Sequence, residues 1–441
     1  MDRPHLFRQG CTPYAYFETL LQVPVKSVAR RGRRCKCRHE LNAHDIFQLK
    51  SYHLKRRESY FAAQGEWAMA LADGSTLGIA LSGGGFRATL FGLGSLWRLN
   101  DAGLLGRLDR VTSVSGGSIL AGVLASRWRD LHFSDGKAGN FGAVVVKPLQ
   151  DFCSCSADIE AGILGWITPF RSAGDYLCRH YQDALFGDMK MHDLPPREHN
   201  LTPLFVFYAT NMQTGRSFRF RQDFMADYRL GINETDNPLL ATAVTASSAF
   251  PPIFSPVAIK TTPEAWHDQT WEDDAELLKR LREKILLADG GIYDNMGVES
   301  LNESIKLISD AGAPFSIDES QRSDYFSQLG RVRDILIDQT RGLRKRQLVE
   351  DFQLQRKRGA YWGIDTAIDD YVVEGKLAAD NATTGTLGAL ATRLASVTPD
   401  QQGRLINWGY ALADAALRAP KRANLSISPM VVLPLPEFPL R

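Results

Sequence analysis

The sequence has few cysteines, little net charge and no long apolar run, and each absence excludes a class of protein. Six of the 441 residues are cysteine, too few for a disulfide-stabilised extracellular fold. The 52 Lys and Arg residues nearly balance the 50 Asp and Glu residues, so we expect no nucleic-acid partner. No stretch approaches the ~18 apolar residues that a membrane-spanning helix needs.

The start of the sequence also lacks the apolar segment of a signal peptide. We therefore expect a cytoplasmic protein, either soluble or bound to a membrane at its surface, with its cysteines reduced. Hydrophobic residues make up 44% of the chain and charged residues 23%, as in ordinary globular proteins. The length predicts a catalytic domain of ~250 residues with additional elements.

A basic N-terminal extension is predicted over residues 1–70. Residues 1–68 contain thirteen Lys or Arg and six Asp or Glu, and the basic residues are concentrated between Arg30 and His39. Such a run either attracts anionic lipid headgroups or nucleic acid, or is a solvated surface. Four residues here are candidate zinc ligands: Cys35, Cys37, His39 and His44. They lack a second spaced cysteine pair, so no metal is predicted.

From Leu77 onward, short apolar runs alternate with amphipathic stretches, which predicts an α/β fold. Strands are predicted at 77–82, 110–114, 203–210 and 285–291, and helices at 86–101 and 116–128. Residues 271–276 are predicted as a loop or lid, 328–358 as a long helical stretch and 426–436 as a terminal strand. We assign a catalytic domain to 76–310 and a mostly helical region with the terminal strand to 311–441.

A serine in a strand-to-helix turn is the strongest chemical signal. Ser113-Val114-Ser115-Gly116-Gly117 lies where a predicted strand meets a predicted helix, which is the setting of a nucleophile elbow. Such a turn exposes the hydroxyl of Ser115, and the N–H groups that begin the next helix favour an oxyanion beside it. Ser113 stands where the motif usually has glycine, and Ser-Gly-Gly alone also fits an ordinary turn.

Three consecutive glycines, residues 83–85, form a second strand-to-helix connection. Their N–H groups are accessible to a carbonyl or phosphate oxygen because no side chains cover them. The spacing fits neither G-x-G-x-x-G nor a P-loop, so no nucleotide cofactor is predicted. Arg87 follows the glycines. It would bind a phosphate, support the loop, or be an ordinary surface residue.

An aspartate suited to act as the base follows the fourth predicted strand. Asp289 precedes two glycines at the end of this strand, where the sites of α/β sheets gather. None of the nine histidines falls in these motifs, so Ser115 and Asp289 would act as a dyad. An aspartate with an ordinary pKa of about 3.9 is a poor base for an alcohol, so burial must raise its pKa. Asp294 is a second candidate.

Taken in order, GGGFR at 83–87, SVSGG at 113–117 and DGG at 289–291 resemble the patatin-like phospholipases. Segments 245–254 and 209–218 are similar to that family's alanine/serine–proline segment and strand–turn–strand piece. The resemblance covers about residues 76–300. The glycine-rich loop is also similar to that of the animal cytosolic phospholipases, since Ala88 stands where patatins commonly have glycine.

The resemblance implies a three-layer α/β/α sandwich with the N-terminal extension and an additional C-terminal helical region. It implies Ser115 as the nucleophile, Asp289 as the general base, and Arg87 as support for the loop or for a lipid phosphate. It also implies an oxyanion hole of three backbone N–H groups, those of Gly84, Gly85 and Gly116. Neither a metal nor a cofactor is implied.

The implied reaction is hydrolysis of fatty-acid esters in membrane phospholipids, of phospholipase A type, through an acyl-enzyme. The implied partners are a phospholipid or other lipid ester and the membrane surface that contains it. A lysophospholipase, a neutral-lipid lipase and an acyltransferase are alternatives on the same fold. An alternative of another class is a catalytically weak regulatory module that binds membranes through the basic run.

Overall fold

The computed structural model describes a defined part of the chain. The described residues are 71, 74–157, 173–199, 201–254, 256–269, 274–315, 317–420, 423, 425–430 and 432–441. The basic extension predicted over 1–70, with the cysteines and histidines considered for zinc, lies outside them.

The regular elements are numbered in chain order. The strands are β1 (Leu77–Leu81), β2 (Arg110–Val114), β3 (Phe133–Ser134), β4 (Lys137–Ala138), β5 (Leu204–Asn211), β6 (Arg216–Phe220), β7 (Met225–Asp227), β8 (Gly231–Asn233), β9 (Val257–Lys260), β10 (Trp266–His267), β11 (Lys284–Asp289), β12 (Ile305–Asp310) and β13 (Arg358–Gly363). The α-helices are α1 (Gly85–Asp101), α2 (Gly116–Ser126), α3 (Lys147–Cys153), α4 (Ala173–Tyr181), α5 (Leu240–Ser248), α6 (Ala275–Glu283), α7 (Gly291–Asp294), α8 (Tyr325–Gln353), α9 (Ala382–Leu387) and α10 (Pro399–Arg418).

An 11-stranded mixed sheet lies at the centre of the described residues. Its parallel part has the order β5-β2-β1-β12-β13. On the other side of β5, the strands β6, β7, β8 and β10 continue the sheet in antiparallel pairs. β11 pairs antiparallel with the end of β5 and with β9. Because parallel strands end at one edge, the loops after β1, β2 and β12 meet there.

Helices cover both faces of this sheet. Successive side chains of a strand point to opposite faces, so Leu77, Ile79 and Leu81 of β1 join the main core with α1, α2 and α10. Ala80 points the other way and packs in a second core with Phe352 of α8. The arrangement is the predicted three-layer α/β/α sandwich.

Two glycines allow α1 and α10 to pack backbone against backbone. A Cβ on Gly94 would lie 1.9 Å from the carbonyl oxygen of Ile406, and one on Gly409 would lie 2.0 Å from that of Phe91. No larger residue fits at either position without a shift of the backbone. Since α1 begins at the glycine-rich loop, this contact fixes the helix that carries the loop.

Most predicted elements occur, but the terminal strand was predicted wrongly. The strands predicted at 77–82, 110–114, 203–210 and 285–291 and the helices at 86–101 and 116–128 correspond to β1, β2, β5, β11, α1 and α2. The described residues of 425–441 form no strand. Pro429, Pro434 and Pro436 offer no N–H to a neighbouring strand, and Asn407 of α10 donates to the carbonyls of Leu435 and Phe438 instead.

The region beyond residue 310 contributes to the same sheet and core. β13 pairs in parallel with β12, and α10 packs along α1 in the main core. The division into domains at 310 stays a prediction. Within the predicted loop at 271–276, Ala275 already begins α6, capped by the Asp274 side chain, and residues 271–273 lie outside the described part.

Candidate active site

Ser115 occupies a strained turn between β2 and α2. Its φ is 52° and its ψ is −121°, a conformation that costs a non-glycine residue about 1–3 kcal/mol and is typical of a nucleophile elbow. The turn is held because the N–H of Ser115 donates to the hydroxyl oxygen of Ser247 at 3.0 Å. The side chain faces a cavity, yet the residue is only 6% exposed.

A chain of buried hydroxyls explains how Ser113 replaces the usual glycine of the elbow. Ser113 donates to the carbonyl of Val206 at 3.3 Å and accepts from the hydroxyl of Ser118 at 3.0 Å. Ser118 also lies 2.8 Å from the hydroxyl of Ser247, which supports the N–H of Ser115. Ser113 therefore satisfies its polar group inside the core and links the strand to the turn.

Asp289 is the last residue of β11 and is almost completely buried. Its carboxylate accepts a hydrogen bond from the N–H of Gly291 at 2.7 Å, and the Ser115 side chain lies close enough to influence its pKa. Burial raises the pKa of Asp289 to about 7, against the opposite influence of the Gly291 N–H and the Ser115 side chain. A carboxylate with this pKa is a much better base near neutral pH than an exposed aspartate.

The two residues meet because β2 and β11 approach each other end to end along β5. Val114, the last residue of β2, pairs with Tyr208 of β5. Asp289, the last residue of β11, pairs with Ala209, the next residue of β5. β2 runs parallel to β5 and β11 runs antiparallel to it, so their carboxyl ends converge.

The glycine-rich loop lies against this turn. Gly84 and Gly85 have φ values of 144° and 59° and line the cavity together with Ser115. A Cβ on Gly116 would lie 2.0 Å from the carbonyl oxygen of Gly85, so the loop and the elbow are in backbone contact. In the described part of the chain, no protein oxygen accepts from the N–H groups of Gly84, Gly85 or Gly116. Gly116 itself does not line the cavity.

Arg87 is buried and ties the glycine-rich loop to two other segments. Its Nε and Nη2 donate to the carbonyl of Ala311 at 3.1 and 2.9 Å, Nη2 also donates to the Thr392 hydroxyl at 2.9 Å, and Nη1 donates to the carbonyl of Leu390. Burial, with the nearby charge of Arg341, lowers the pKa of Arg87 to about 10. Arg87 does not line the cavity, so its contacts favour loop support over a lipid phosphate.

Asp294, the second candidate base, lies outside the cavity. Its carboxylate accepts from the N–H groups of Met296 at 3.1 Å, Val298 at 2.9 Å and Glu299 at 3.2 Å, and pairs with Arg344 at 2.6 Å. These bonds hold the turn that follows α7. Asp294 is therefore occupied with local structure.

A cavity of about 400 Å³ lies above Ser115 and Asp289. Its walls come from the glycine-rich loop, residues 248–254, the 312–315 loop, α8 and residues 392–394. The apolar lining residues are Phe250, Ile253, Phe254, Ala313, Pro314, Phe315, Ile337 and Leu394. The volume falls in the range of small-molecule sites, and the apolar walls suit an acyl chain.

The sequence analysis missed two supports of this cavity. Asn295 lines it, and its carbonyl accepts from the N–H of Gly83 at 2.9 Å. Arg341 of α8 bonds to the buried carboxylate of Asp310 at 2.9 Å. Burial alone would raise the pKa of Asp310, but the Arg341 charge and hydrogen bonds keep it below its usual value. The position of Asn295 shortly after Asp289-Gly-Gly could have indicated it, whereas nothing in the sequence joins Arg341 to Asp310.

The segments at 245–254 and 209–218 also position Asp289. The N–H of Asp289 donates to the carbonyl of Ala249 at 3.0 Å, and the N–H of Gly290 donates to that of Ser247 at 3.1 Å. Thr210 of β5 donates its hydroxyl to the carbonyl of Asp289 at 2.8 Å. These bonds fix the end of β11 from two sides.

The chain is similar to one curated protein and to solved structures. The S. cerevisiae protein named "Putative meiotic phospholipase SPO1" is 32% identical over 109 residues, which span 22% of this chain and 16% of that protein. Human GIVD cytosolic phospholipase A2 matches with a TM-score of 0.45 at 12% identity, over 79% of this chain and 59% of that one. VipD from Legionella pneumophila matches with a TM-score of 0.32 at 16% identity, over 78% of this chain and 68% of that one.

The family assignment comes from the region that contains all three motifs. The family model described as patatin-like phospholipase matches residues 79–302, half of the chain. This range includes the glycine-rich loop, Ser115 and Asp289. The chain belongs to the patatin-like phospholipase family.

Proposed function

We propose that this protein is a lipid acyl hydrolase of phospholipase A type, which cleaves ester-linked fatty acids with Ser115 and Asp289. The observation that carries the proposal is that the strained Ser115 and the buried Asp289 line the same cavity, with the two side chains close enough to interact. The family and the apolar cavity support a lipid ester as the substrate. A catalytically weak regulatory module would have no need for this geometry.

In the first step, Ser115 forms the acyl-enzyme. Asp289 takes the proton of the Ser115 hydroxyl as Oγ attacks the ester carbonyl carbon. The negative charge that develops on the carbonyl oxygen would be stabilised by the N–H groups of Gly84, Gly85 and Gly116, each worth about 3–4 kcal/mol. As the tetrahedral intermediate collapses, the alcohol oxygen of the lipid leaves with the proton from Asp289.

In the second step, water releases the fatty acid. Asp289, again ionised, takes a proton from a water molecule whose oxygen attacks the acyl carbon. The C–O bond to Ser115 breaks, and Oγ regains the proton from Asp289. An acyltransferase would use the same first step but would admit an alcohol in place of this water.

Exposed apolar residues at the cavity wall and on α8 support action at a membrane. Phe315 lines the cavity and is also exposed, as are Ile317 before α8 and an apolar stripe on α8 itself. The stripe consists of Tyr325, Leu329, Val332 and Leu336. Their spacing of three and four residues puts them on one helix face, opposite Arg341, which faces the cavity. Exposed apolar surface of this extent is typical of interaction sites.

Charge indicates how this surface would bind. Residues 317–338 contain five acidic residues and three basic residues, so the surface gains nothing from an anionic bilayer. Burial of apolar side chains in the interface would provide the binding energy. No helix among the described residues is long and apolar enough to span a bilayer. We therefore propose peripheral attachment through the α8 stripe, with no requirement for anionic lipid.

The deciding experiment joins active-site labelling with product analysis. A fluorophosphonate is expected to label the wild-type protein at Ser115, and phosphatidylcholine vesicles are expected to yield free fatty acid and lysophospholipid. Ser115→Ala abolishes both signals, whereas the matched variant Ser126→Ala, at the far end of α2, retains them. A wild-type protein that neither reacts nor releases fatty acid would exclude the hydrolase and favour the regulatory module.

Product chemistry separates the alternatives on the same fold. Release of fatty acid from lysophosphatidylcholine alone would indicate a lysophospholipase, and release from triacylglycerol alone a neutral-lipid lipase. Transfer of the acyl group to added glycerol in preference to water would indicate an acyltransferase.

A further inference from the structure

Four arginine residues line the cavity, and two of them are neutralised by ion pairs. Arg341 pairs with Asp310 at 2.9 Å, and Arg333 pairs with its neighbour Asp334 at 2.8 Å. The other two are Arg331 and Arg393. In the described part of the chain, no carboxylate lies within ion-pair distance of either.

Arg393 lies directly on the glycine-rich loop. Its carbonyl accepts from the N–H of Phe86 at 3.0 Å, and a Cβ on Gly85 would lie 2.3 Å from the same oxygen. Arg393 is an exposed residue that lines the cavity. Its backbone therefore lies beside the loop that lines the cavity with Ser115.

Arg331 approaches the cavity from α8. Its guanidinium lies 4.1 Å from the ring centroid of Phe315, which itself lines the cavity. Stacking on an aromatic ring orients a guanidinium while leaving its N–H edges free for an anion. Arg331 and Arg393 therefore present two cationic groups, from different segments, to one cavity.

We propose that Arg331 and Arg393 bind the phosphate of a phospholipid headgroup while the scissile ester lies at Ser115. This inference rests on the proposed function and names the part of the substrate that the site recognises. Guanidinium groups bind phosphate oxygens through charge-assisted hydrogen bonds. Arg87 is excluded from this role because its donors are committed to Ala311, Leu390 and Thr392. The phosphate and the nearest ester of a glycerophospholipid are only a few bonds apart, so one small cavity can hold both.

The carboxylate of Asp338 further restricts which headgroups the site would accept. It lines the same cavity and forms no ion pair within the described residues. An extra negative charge on the ligand would be repelled by Asp338, whereas an ammonium group would be attracted. The site is thus arranged for a zwitterionic headgroup, such as phosphocholine or phosphoethanolamine, in preference to phosphatidic acid.

The experiment compares two esters that differ only in the phosphate. kcat/KM is measured on phosphatidylcholine and on diacylglycerol with the same acyl chains in the same detergent micelles. Arg331→Gln and Arg393→Gln are each expected to lower the ratio of kcat/KM on phosphatidylcholine to kcat/KM on diacylglycerol about tenfold, because each variant loses one charge-assisted hydrogen bond to the phosphate. Arg346→Gln, an exposed arginine of α8 away from the cavity, leaves the ratio unchanged.

Two further arms test the headgroup. Asp338→Asn is expected to raise hydrolysis of phosphatidic acid relative to phosphatidylcholine severalfold. Inorganic phosphate is titrated into the diacylglycerol assay. If it inhibits the wild type but not Arg393→Gln, while the phosphatidylcholine ratio is constant across variants, the site binds free phosphate and the headgroup assignment is wrong.

The outcomes separate this inference from the proposed function. A wild type that cleaves both esters, with the same ratio in Arg331→Gln and Arg393→Gln, overturns only the phosphate site. A wild type that cleaves neither ester overturns the hydrolase and the phosphate site together. Thermal unfolding of each variant verifies that these substitutions leave the fold intact.

Discussion

The side chain of Ser115 lies beside the carboxylate of Asp289 in one cavity, although the two residues come from distant parts of the chain. They meet because the end of β2 and the end of β11 adjoin successive residues of β5. The contact lies at the bottom of a small cavity with apolar walls. The tertiary structure thus brings a strained serine next to a buried carboxyl group whose pKa is raised by burial.

Asp289→Asn is expected to lower kcat at least about 10³-fold, because an amide cannot take the proton of Ser115. Turnover of a water-soluble ester measures the effect without any contribution from membrane binding. Asp294→Asn is the control, since Asp294 only holds the turn after α7. Near-normal turnover in folded Asp289→Asn, together with a large loss in Asp294→Asn, would transfer the role of base to Asp294.

The activity should depend on pH through the ionisation of Asp289. Only the ionised carboxylate accepts a proton, and its pKa is about 7. kcat/KM is therefore expected to rise tenfold per pH unit below about pH 7 and to level off above it. A profile that stays flat down to about pH 4, the ordinary value for aspartate, would contradict the raised pKa.

Burial of Asp289 should also make the protein less stable as the pH rises. Its pKa is higher in the folded than in the unfolded protein, so the folded state binds more protons between about pH 4 and pH 7. The free energy of unfolding contributed by this group falls across that window and is constant on either side. Asp289→Asn has no such charge to bury, so its free energy of unfolding should exceed that of the wild type by up to about 4 kcal/mol at pH 8.

The measurement is the difference in melting temperature between Asp289→Asn and the wild type at pH 4 and pH 8. The variant should gain stability relative to the wild type at pH 8. An equal difference at both pH values would show that the Asp289 charge does not oppose folding.

Gly116→Ala should disrupt the contact between the elbow and the glycine-rich loop. The added Cβ would overlap the carbonyl oxygen of Gly85, at 2.0 Å, so the loop must move. Displacement of one oxyanion donor is expected to lower kcat about 10²–10³-fold. Gly142→Ala, where the new Cβ meets nothing within 4 Å, is the control, and equal kcat values in the two variants would count against the proposed oxyanion hole.

Removal of the apolar stripe on α8 should weaken membrane binding but spare the chemistry. The triple variant Leu329→Asn, Val332→Asn, Leu336→Asn is expected to lose at least tenfold in binding to phosphatidylcholine vesicles, because three exposed apolar side chains no longer enter the interface. Cosedimentation in the Ser115→Ala background measures binding without lipid turnover. Its control is Val372→Asn, another exposed valine.

The control should bind vesicles as the wild type does, and the triple variant with Ser115 restored should cleave a water-soluble ester normally. A change of oligomeric state in the triple variant, with vesicle binding intact, would instead assign the stripe to contact between protein molecules.

Local pattern predicted three of the five parallel strands, β1, β2 and β5, and the antiparallel strand β11, but not β12 or β13. The predicted strands are short apolar runs, and the glycine-rich loop, Ser115 and Asp289 lie at the ends of β1, β2 and β11. The same approach failed at 426–436, where prolines prevent a strand that the apolar residues suggested. It also gave no indication that Arg87 points into the protein, since an arginine early in a helix is usually exposed.

The sequence by itself determined which residues are available for chemistry, because a strand, a turn and a helix start depend mainly on neighbouring residues. Only the tertiary structure decided that β2 and β11 end side by side on β5, that Asp289 is buried enough to raise its pKa, and that α8 closes the cavity with Arg331. These properties arise from contacts between segments far apart in the chain, and the local sequence pattern does not indicate which segments come into contact.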